Sequence, residues 1–294
     1  MKTINSLFFL LLSAGQLIAQ DDLLKQLQSE TPQTEEKVIA TFKGTKIVNI
    51  QSNETVKKGN LDVRVKHLFG NIGTESGGGI HTLYGFDQSN DIQIALHYGI
   101  TDRLMAGFSR SKRNENLEGL LKFRLIEQTT DNKKPIGIAV FGNATLSTIS
   151  GALVDKFEHR MTYFAQVIVS KKFSSKFSAV LTPSFLHRNL VPENDQNDII
   201  GLGAGLRCKV TRSTSVIADF SYVTPRADLS PERMNPVGIG IEIETGGHVF
   251  SMLFTNASGI LENDYLPNTV DDWMKGGVKF SFIISRMFRF GKIK

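Results

Sequence analysis

Among 294 residues there is one cysteine, Cys208, so no disulfide can form within the chain and its fold must hold by packing and hydrogen bonding alone. Tryptophan is equally scarce, with Trp273 alone. Beyond the N-terminus no apolar run approaches the ~20 residues of a spanning helix, so if the chain crosses a membrane, helices are not the means. Charge of one sign is not concentrated anywhere: the formal net charge is +5 and the basic residues are scattered, which leaves no nucleic-acid footprint. The six histidines show no H-E-x-x-H or H-x-H spacing, so local sequence offers no metal site. No cofactor motif is present either. The glycine run Gly201 to Gly205 (GLGAG) lacks the G-x-G-x-x-G spacing and the following helix of a dinucleotide loop. Its three glycines fit better as small residues on the inward face of one strand, leaving room for a neighbouring side chain or an inner segment.

What is there begins with an address. Met1 and Lys2 precede the apolar run Leu7 to Leu12, followed by small residues and "LIAQDD", which reads as a secretory signal peptide cut after Ala19. From Gly59 onward apolar side chains recur at alternate positions over stretches of about ten residues, the period of strands with two unlike faces. Twelve such stretches can be counted, near 60–69, 91–99, 102–111, 117–128, 136–149, 160–170, 176–188, 198–210, 214–223, 236–245, 248–257 and 277–290. Their connections alternate between short (near 100, 132, 173, 212 and 247) and long, so the two classes project from opposite ends of the sheet. An even number of antiparallel strands, each of the ~9 to 11 residues that cross a bilayer, describes a closed outer-membrane β-barrel. The expected fold class is all-β: a transmembrane barrel of about twelve strands over residues 59–294. Residues 20–58, which do not alternate cleanly, precede it as a periplasmic or plug segment.

One face of the strands is apolar and would meet lipid, with Tyr98, Tyr163 and Tyr222 near strand ends as interfacial aromatics and Trp273 as a further anchor. The opposite face carries Asp62, Arg64, Lys66, Arg103, Lys122, Arg124, Arg207, Asp219, Glu242, Glu244 and Lys279, the candidate lumen lining. With a three-residue turn at Arg212 to Thr214, Arg207 would stand directly opposite Asp219 and pair with it. The acidic loop 262–273 (ENDYLPNTVDDW) lacks the ordered spacing of a calcium loop and reads as a solvated outer loop, as does 193–198. His248 and Ser251, three apart on a strand, point to opposite faces, which removes the one local Ser and His pair of a barrel hydrolase. No enzyme activity is expected.

Several phrases resemble a family of Bacteroidota outer-membrane β-barrel proteins: "ATFKGTKIVNIQSNETVKKGNLDVRVKHLFG", "HYGITDRLMAGFSRS" with "LEGLLKFRLIEQ" after it, and the closing "GVKFSFIISRMFRF". The resemblance spans nearly the whole mature chain. It implies a barrel in the outer membrane of a Gram-negative bacterium and assigns no functional residue. The expected function is a narrow pore or transporter for small polar solutes, with the basic excess of the lining favouring anions. The rival is a non-conducting structural or docking barrel that holds a protein partner through its outer loops or N-terminal segment. Outer-membrane lipid and, during insertion, the barrel-assembly machinery are partners under either reading.

Overall fold

Alternation at period two dictates strands, and the computed structural model has twelve of them. They are β1 (Asn60–Asn71), β2 (Ser89–Gly99), β3 (Leu104–Ser111), β4 (Asn116–Ile126), β5 (Gly137–Ser147), β6 (Met161–Lys172), β7 (Phe177–Arg188), β8 (Asp198–Lys209), β9 (Thr214–Val223), β10 (Val237–Thr245), β11 (His248–Thr255) and β12 (Lys279–Arg289). The structure describes residues 36–73, 77–149, 156–225 and 232–290. The signal-peptide reading of residues 1–19 and the reading of 20–35 lie outside them. The chain divides into two units, Met1–Lys37 and Val38–Lys294, and the second contains all twelve strands.

Every strand pairs antiparallel with its sequence neighbours, and β1 pairs with β12, with Val63 opposite Arg286 and Val65 opposite Ile284, so the barrel closes. Closure leaves no strand edge, which is what a sheet surrounded by hydrocarbon requires. Burial alternates along the strands. On β8, Ile199, Gly201, Gly203, Gly205 and Arg207 are buried inside, while Ile200, Leu202, Leu206 and Cys208 face out and are exposed. β5, whose two faces are nearly equally apolar in sequence, turns Ala139, Phe141, Asn143 and Thr145 inward.

The interior is filled. Residues 38–58 enter it as a hairpin, closed at its tip by Ile47 N–H donating to Ile50 O (2.9 Å) and Ser52 N–H donating to Thr45 O (3.0 Å). Both limbs leave at the short-turn end, where Val38 N–H donates to Gln128 O (2.8 Å) and Gly59 N–H to Gly99 O (2.9 Å). From the other end the connection between β11 and β12 folds inward around α1 (Glu262–Asn268) and buries Ile260, Leu261, Tyr265 and Leu266. That corrects the expectation of a solvated loop: apolar residues recur along it, and the barrel mouth offers them a dry place against the hairpin. The 193–198 segment, by contrast, is largely exposed.

Why the hairpin fits where it does is written in glycines. A Cβ built on Gly203 would stand 3.1 Å from Ile50 Cγ2, one on Gly205 would stand 2.7 Å from Ile47 Cδ1, and one on Gly238 would stand 2.8 Å from Val48 Cβ. Three strand positions without side chains make the floor on which Ile47, Val48 and Ile50 rest, and each of the three is almost fully buried. Burying such side chains contributes roughly 1.5–3 kcal/mol apiece. Replacing Gly205 by Leu is expected to cost the hairpin about 1–3 kcal/mol through overpacking. The barrel should still form and run as a heat-modifiable band, with 38–58 newly open to protease from the short-turn side; an unchanged cleavage pattern would count against this seating.

Candidate functional site

The side chains that carry charge into the barrel meet on the hairpin. Asp219 on β9 is buried and faces inward, and its Oδ2 accepts the backbone N–H groups of Val48 (2.9 Å), Asn49 (2.6 Å) and Ile50 (3.0 Å). Its Oδ1 accepts the Asn49 side-chain amide at 3.0 Å. Three successive N–H groups converge on one carboxylate because the backbone curls at the hairpin tip, a concave nest suited to an anion. Lys66 Nζ donates to Val48 O (2.8 Å), and Lys122 Nζ donates to Thr45 O (2.7 Å) and Ser52 O (3.0 Å) while lying 5.6 Å over the Phe141 ring. Charges on the wall are thus satisfied by the hairpin's backbone.

Other wall charges pair among themselves. Arg64 meets Asp62 at 2.7 Å and Arg207 meets Glu242 at 3.1 Å, all four buried; Lys279 pairs with Asp271. The expected pairing of Arg207 with Asp219 is not made. The turn does hold three residues, with Val210 N–H donating to Thr214 O (2.9 Å), but those residues are 211–213. The ladder counted back from there puts Ile217 opposite Arg207 and Gly205 opposite Asp219. Shifting the turn by one residue moves the pairing by two, which keeps every side chain on its face and changes its partner.

Of the eleven lining candidates, Asp62, Arg64, Lys66, Lys122, Arg207, Asp219, Glu242 and Lys279 are buried inside. Arg124 and Glu244 sit at the short-turn mouth, paired with Glu127 (3.4 Å) and Lys43 (2.7 Å). Arg103 is exposed rather than inside: it precedes Leu104, where β3 opens, its carbonyl accepts Arg124 N–H (2.9 Å), and its side chain meets Glu127 at 2.9 Å. Asp91 and Glu118 share the inward parity and were not singled out from sequence. Glu118 accepts from Ser109 Oγ (2.6 Å) and Asn143 Nδ2 (2.7 Å), and Asp91 from Ser111 Oγ (2.8 Å). Tyr98, Tyr163 and Tyr222 face outward and are exposed, and Trp273 is half-buried in the 3-10 turn Trp273–Lys275. Among the described residues no group of His, Cys, Asp and Glu could hold a metal ion.

Residues 42–288 match a family described as a membrane-bound β-barrel domain (DUF5777). The chain belongs to this family. The match begins at Phe42, so the family's domain takes in the hairpin as well as the strands. No curated protein matches the chain in sequence. Among solved structures the DUF5777 barrel is similar to the NanC porin, with 7% identity, a TM-score of 0.47, and 79% of this chain and 100% of that one covered. It is similar to the KdgM porin at 7%, 0.43, 79% and 99%, and to the COG4313 outer membrane channel from Pseudomonas putida F1 at 13%, 0.49, 80% and 98%.

At the long-loop end of the DUF5777 barrel, α1 and its flanks are tied both to the hairpin and to the wall. Glu262 meets Lys46 (3.0 Å) and accepts from Gln51 Nε2 (3.0 Å), and Tyr265 OH donates to Asn49 O (3.2 Å). Asp91 accepts Ile260 N–H (3.0 Å), and Asp264 accepts the side-chain amides of Asn114 (2.7 Å) and Asn116 (3.0 Å). Burial, then the neighbouring Asp91 carboxylate, pushes the Asp264 carboxyl up to about 7, against the opposing pull of Arg113 and the two amides.

Two outcomes are expected from these contacts. Asp219→Ala leaves buried N–H groups at the hairpin tip without an acceptor, at about 1–3 kcal/mol each. Amide exchange at 48–50 should rise sharply in that variant while the strands stay protected, and unchanged exchange would contradict the cradle. For Asp264, a carboxyl raised on folding binds its proton more tightly in the folded state, so its contribution is full below about pH 4 and is lost as pH rises to about 7. Exchange over 258–269, corrected for its intrinsic pH dependence, should therefore increase across that window and level off above it, and Asp264→Asn should flatten the curve.

Proposed function

We propose that this chain is an outer-membrane pore for small polar solutes whose resting state is shut by its own hairpin and inward loop. The observation that carries the reading is the partnership of the wall charges. Asp219, Lys66 and Lys122 are matched to backbone groups of the hairpin rather than to one another. A barrel meant to stay dry is made at least as stably with apolar side chains, since buried charges are rarely a net gain over them. A barrel that must at times hold water needs a lining which can be hydrated once the segment withdraws. The lining here is of that kind along β12 and β1 to β4, where Asp62, Arg64, Lys66, Gln93, His97 and Lys122 face inward.

Export by the signal peptide at 1–19 and insertion by the barrel-assembly machinery belong to the same reading. Reactions on a substrate have no place in it, since the described interior is given over to charge pairing and backbone capping.

The test is conductance in planar bilayers. The full chain is expected to be silent or to open rarely, and a chain lacking residues 38–56 to conduct steadily. Lys66→Glu with Lys122→Glu in that shortened chain should move ion selectivity toward cations. A shortened chain that folds into a heat-modifiable barrel and stays silent would defeat the pore reading in favour of the docking barrel, for which a filled interior is no obstacle.

A further inference from the structure

Between the hairpin and the β1 to β4 wall lies a cavity of about 20 Å³, room for one small occupant. Lys46 of the hairpin, Arg64 and Lys66 of β1, His97 of β2 and Glu118 of β4 line it, with Leu120 as an apolar side. All of the wall residues named are buried. Three of the lining groups are cationic and one is a carboxylate. The carboxylate is already engaged: Glu118 takes Ser109 Oγ at 2.6 Å, Asn143 Nδ2 at 2.7 Å and, more weakly, Gln93 Nε2 at 3.4 Å.

Some donors are not engaged. Arg64 gives its terminal N–H to Asp62, yet its Nε has no partner in the protein. Neither ring nitrogen of His97 makes a hydrogen bond, Nδ1 lying 4.0 Å from Asp62, and the neutral ring has one N–H to place. Lys66 donates to a neutral carbonyl, Val48 O, and an ammonium has three N–H groups to place. A buried donor without an acceptor is unstable, so the cavity calls for an occupant that accepts. Water fits this demand less well: its two hydrogens can go to the Gln51 and Gln93 amide oxygens that also line the cavity, but it accepts from only two of the donors there, leaving the others unserved. An anion accepts from every side and needs no acceptor. The cavity is small, which favours a compact anion over an extended one.

We propose that this cavity is a seat for one small monovalent anion, of the halide class, held by Arg64, Lys66 and His97. The ion joins the hairpin to the wall, since Lys66 grips the hairpin at Val48 and Lys46 reaches the same cavity from the hairpin. This inference does not depend on the pore reading: a silent barrel with a bound halide, or a conducting one without it, would separate the two.

The test uses the full chain refolded in detergent, with chloride, bromide or gluconate as the only anion at equal ionic strength. Chloride and bromide are expected to raise the urea midpoint over gluconate, saturably. His97→Leu, which removes no hydrogen bond made within the protein, should abolish most of that rise and leave the gluconate midpoint unchanged or higher. Crystals grown in bromide should show an anomalous peak between Arg64, Lys66 and His97. Absence of that peak overturns the proposal, as do equal midpoints in chloride and gluconate; the peak is read on the unaltered protein, so a variant that misfolds does not blunt the test.

Discussion

In hydrocarbon no water is available to an unpaired strand edge, so the pairing of β1 with β12 is the constraint on which the remaining structure depends. Closing twelve strands encloses a fixed volume, too wide for side chains from the wall alone to fill and too narrow to be an open channel of the largest porins. The chain fills it with its own backbone, entering from both ends. Once backbone is inside, its N–H and C=O groups need partners there, because an unpaired polar group in a dry interior costs free energy comparable to a lost hydrogen bond. Charged side chains of the inner wall meet that requirement: Asp219 serves three N–H groups, and Lys66 and Lys122 serve three carbonyls.

The interior divides into two halves of different character. From β5 to β9 the inward positions include Phe141, Phe164, Ile168, Val180, Leu186, Ile199 and Ile217, all buried, together with the glycines on which Ile47 and Ile50 lie. From β12 round to β4 they are mainly polar or charged. Toward the first half the hairpin lays Ile47 and Ile50 and gives its backbone N–H groups to Asp219 of β9; toward the other it offers carbonyls and Lys46. Its tip meets α1, so that Tyr265 and Glu262 close the chain of contacts from the short-turn end to the long-loop end.

The strands, their faces and the closed barrel were legible in the sequence because period-two alternation is a local signal that no tertiary contact has to supply. Even β8, with Arg207 among Leu202, Ala204 and Leu206, is read correctly by parity. Pairing across the β8 and β9 turn was less secure, since placing that turn one residue too far moved Arg207 from Ile217 to Asp219 without disturbing any face. Asp91 and Glu118 obey the same parity, but one lies near the start of β2 after polar Ser89 and Asn90 and the other beside Gly119, where the alternation is faintest. The fillings were another matter. Nothing periodic marks 38–58 or 256–269, and the features that receive the hairpin, Gly203, Gly205 and Gly238, lie on two strands remote from it in sequence. A glycine on an inward face says that something approaches closely; it does not say what.

The two halves also bear on how such a barrel could open. Withdrawing the hairpin from the β5 to β9 side would expose Ile47 and Ile50 together with the wall they cover, at roughly 1.5–3 kcal/mol for each side chain, and would strip Asp219 of its three N–H donors. Separating it from the β1 to β4 side breaks hydrogen bonds whose donors and acceptors water can serve at once, so the net change per bond is only about 0.5–1.5 kcal/mol. The hairpin is therefore fastened on one side and released more easily on the other. Under the pore reading, the path runs along the charged half while the apolar half keeps its hold, and the small cavity beside Arg64, Lys66 and His97 already lies on that side. A solute entering there meets ammonium, guanidinium and imidazole groups beside Leu120, which ties the choice of solute to the same residues that hold the hairpin in place.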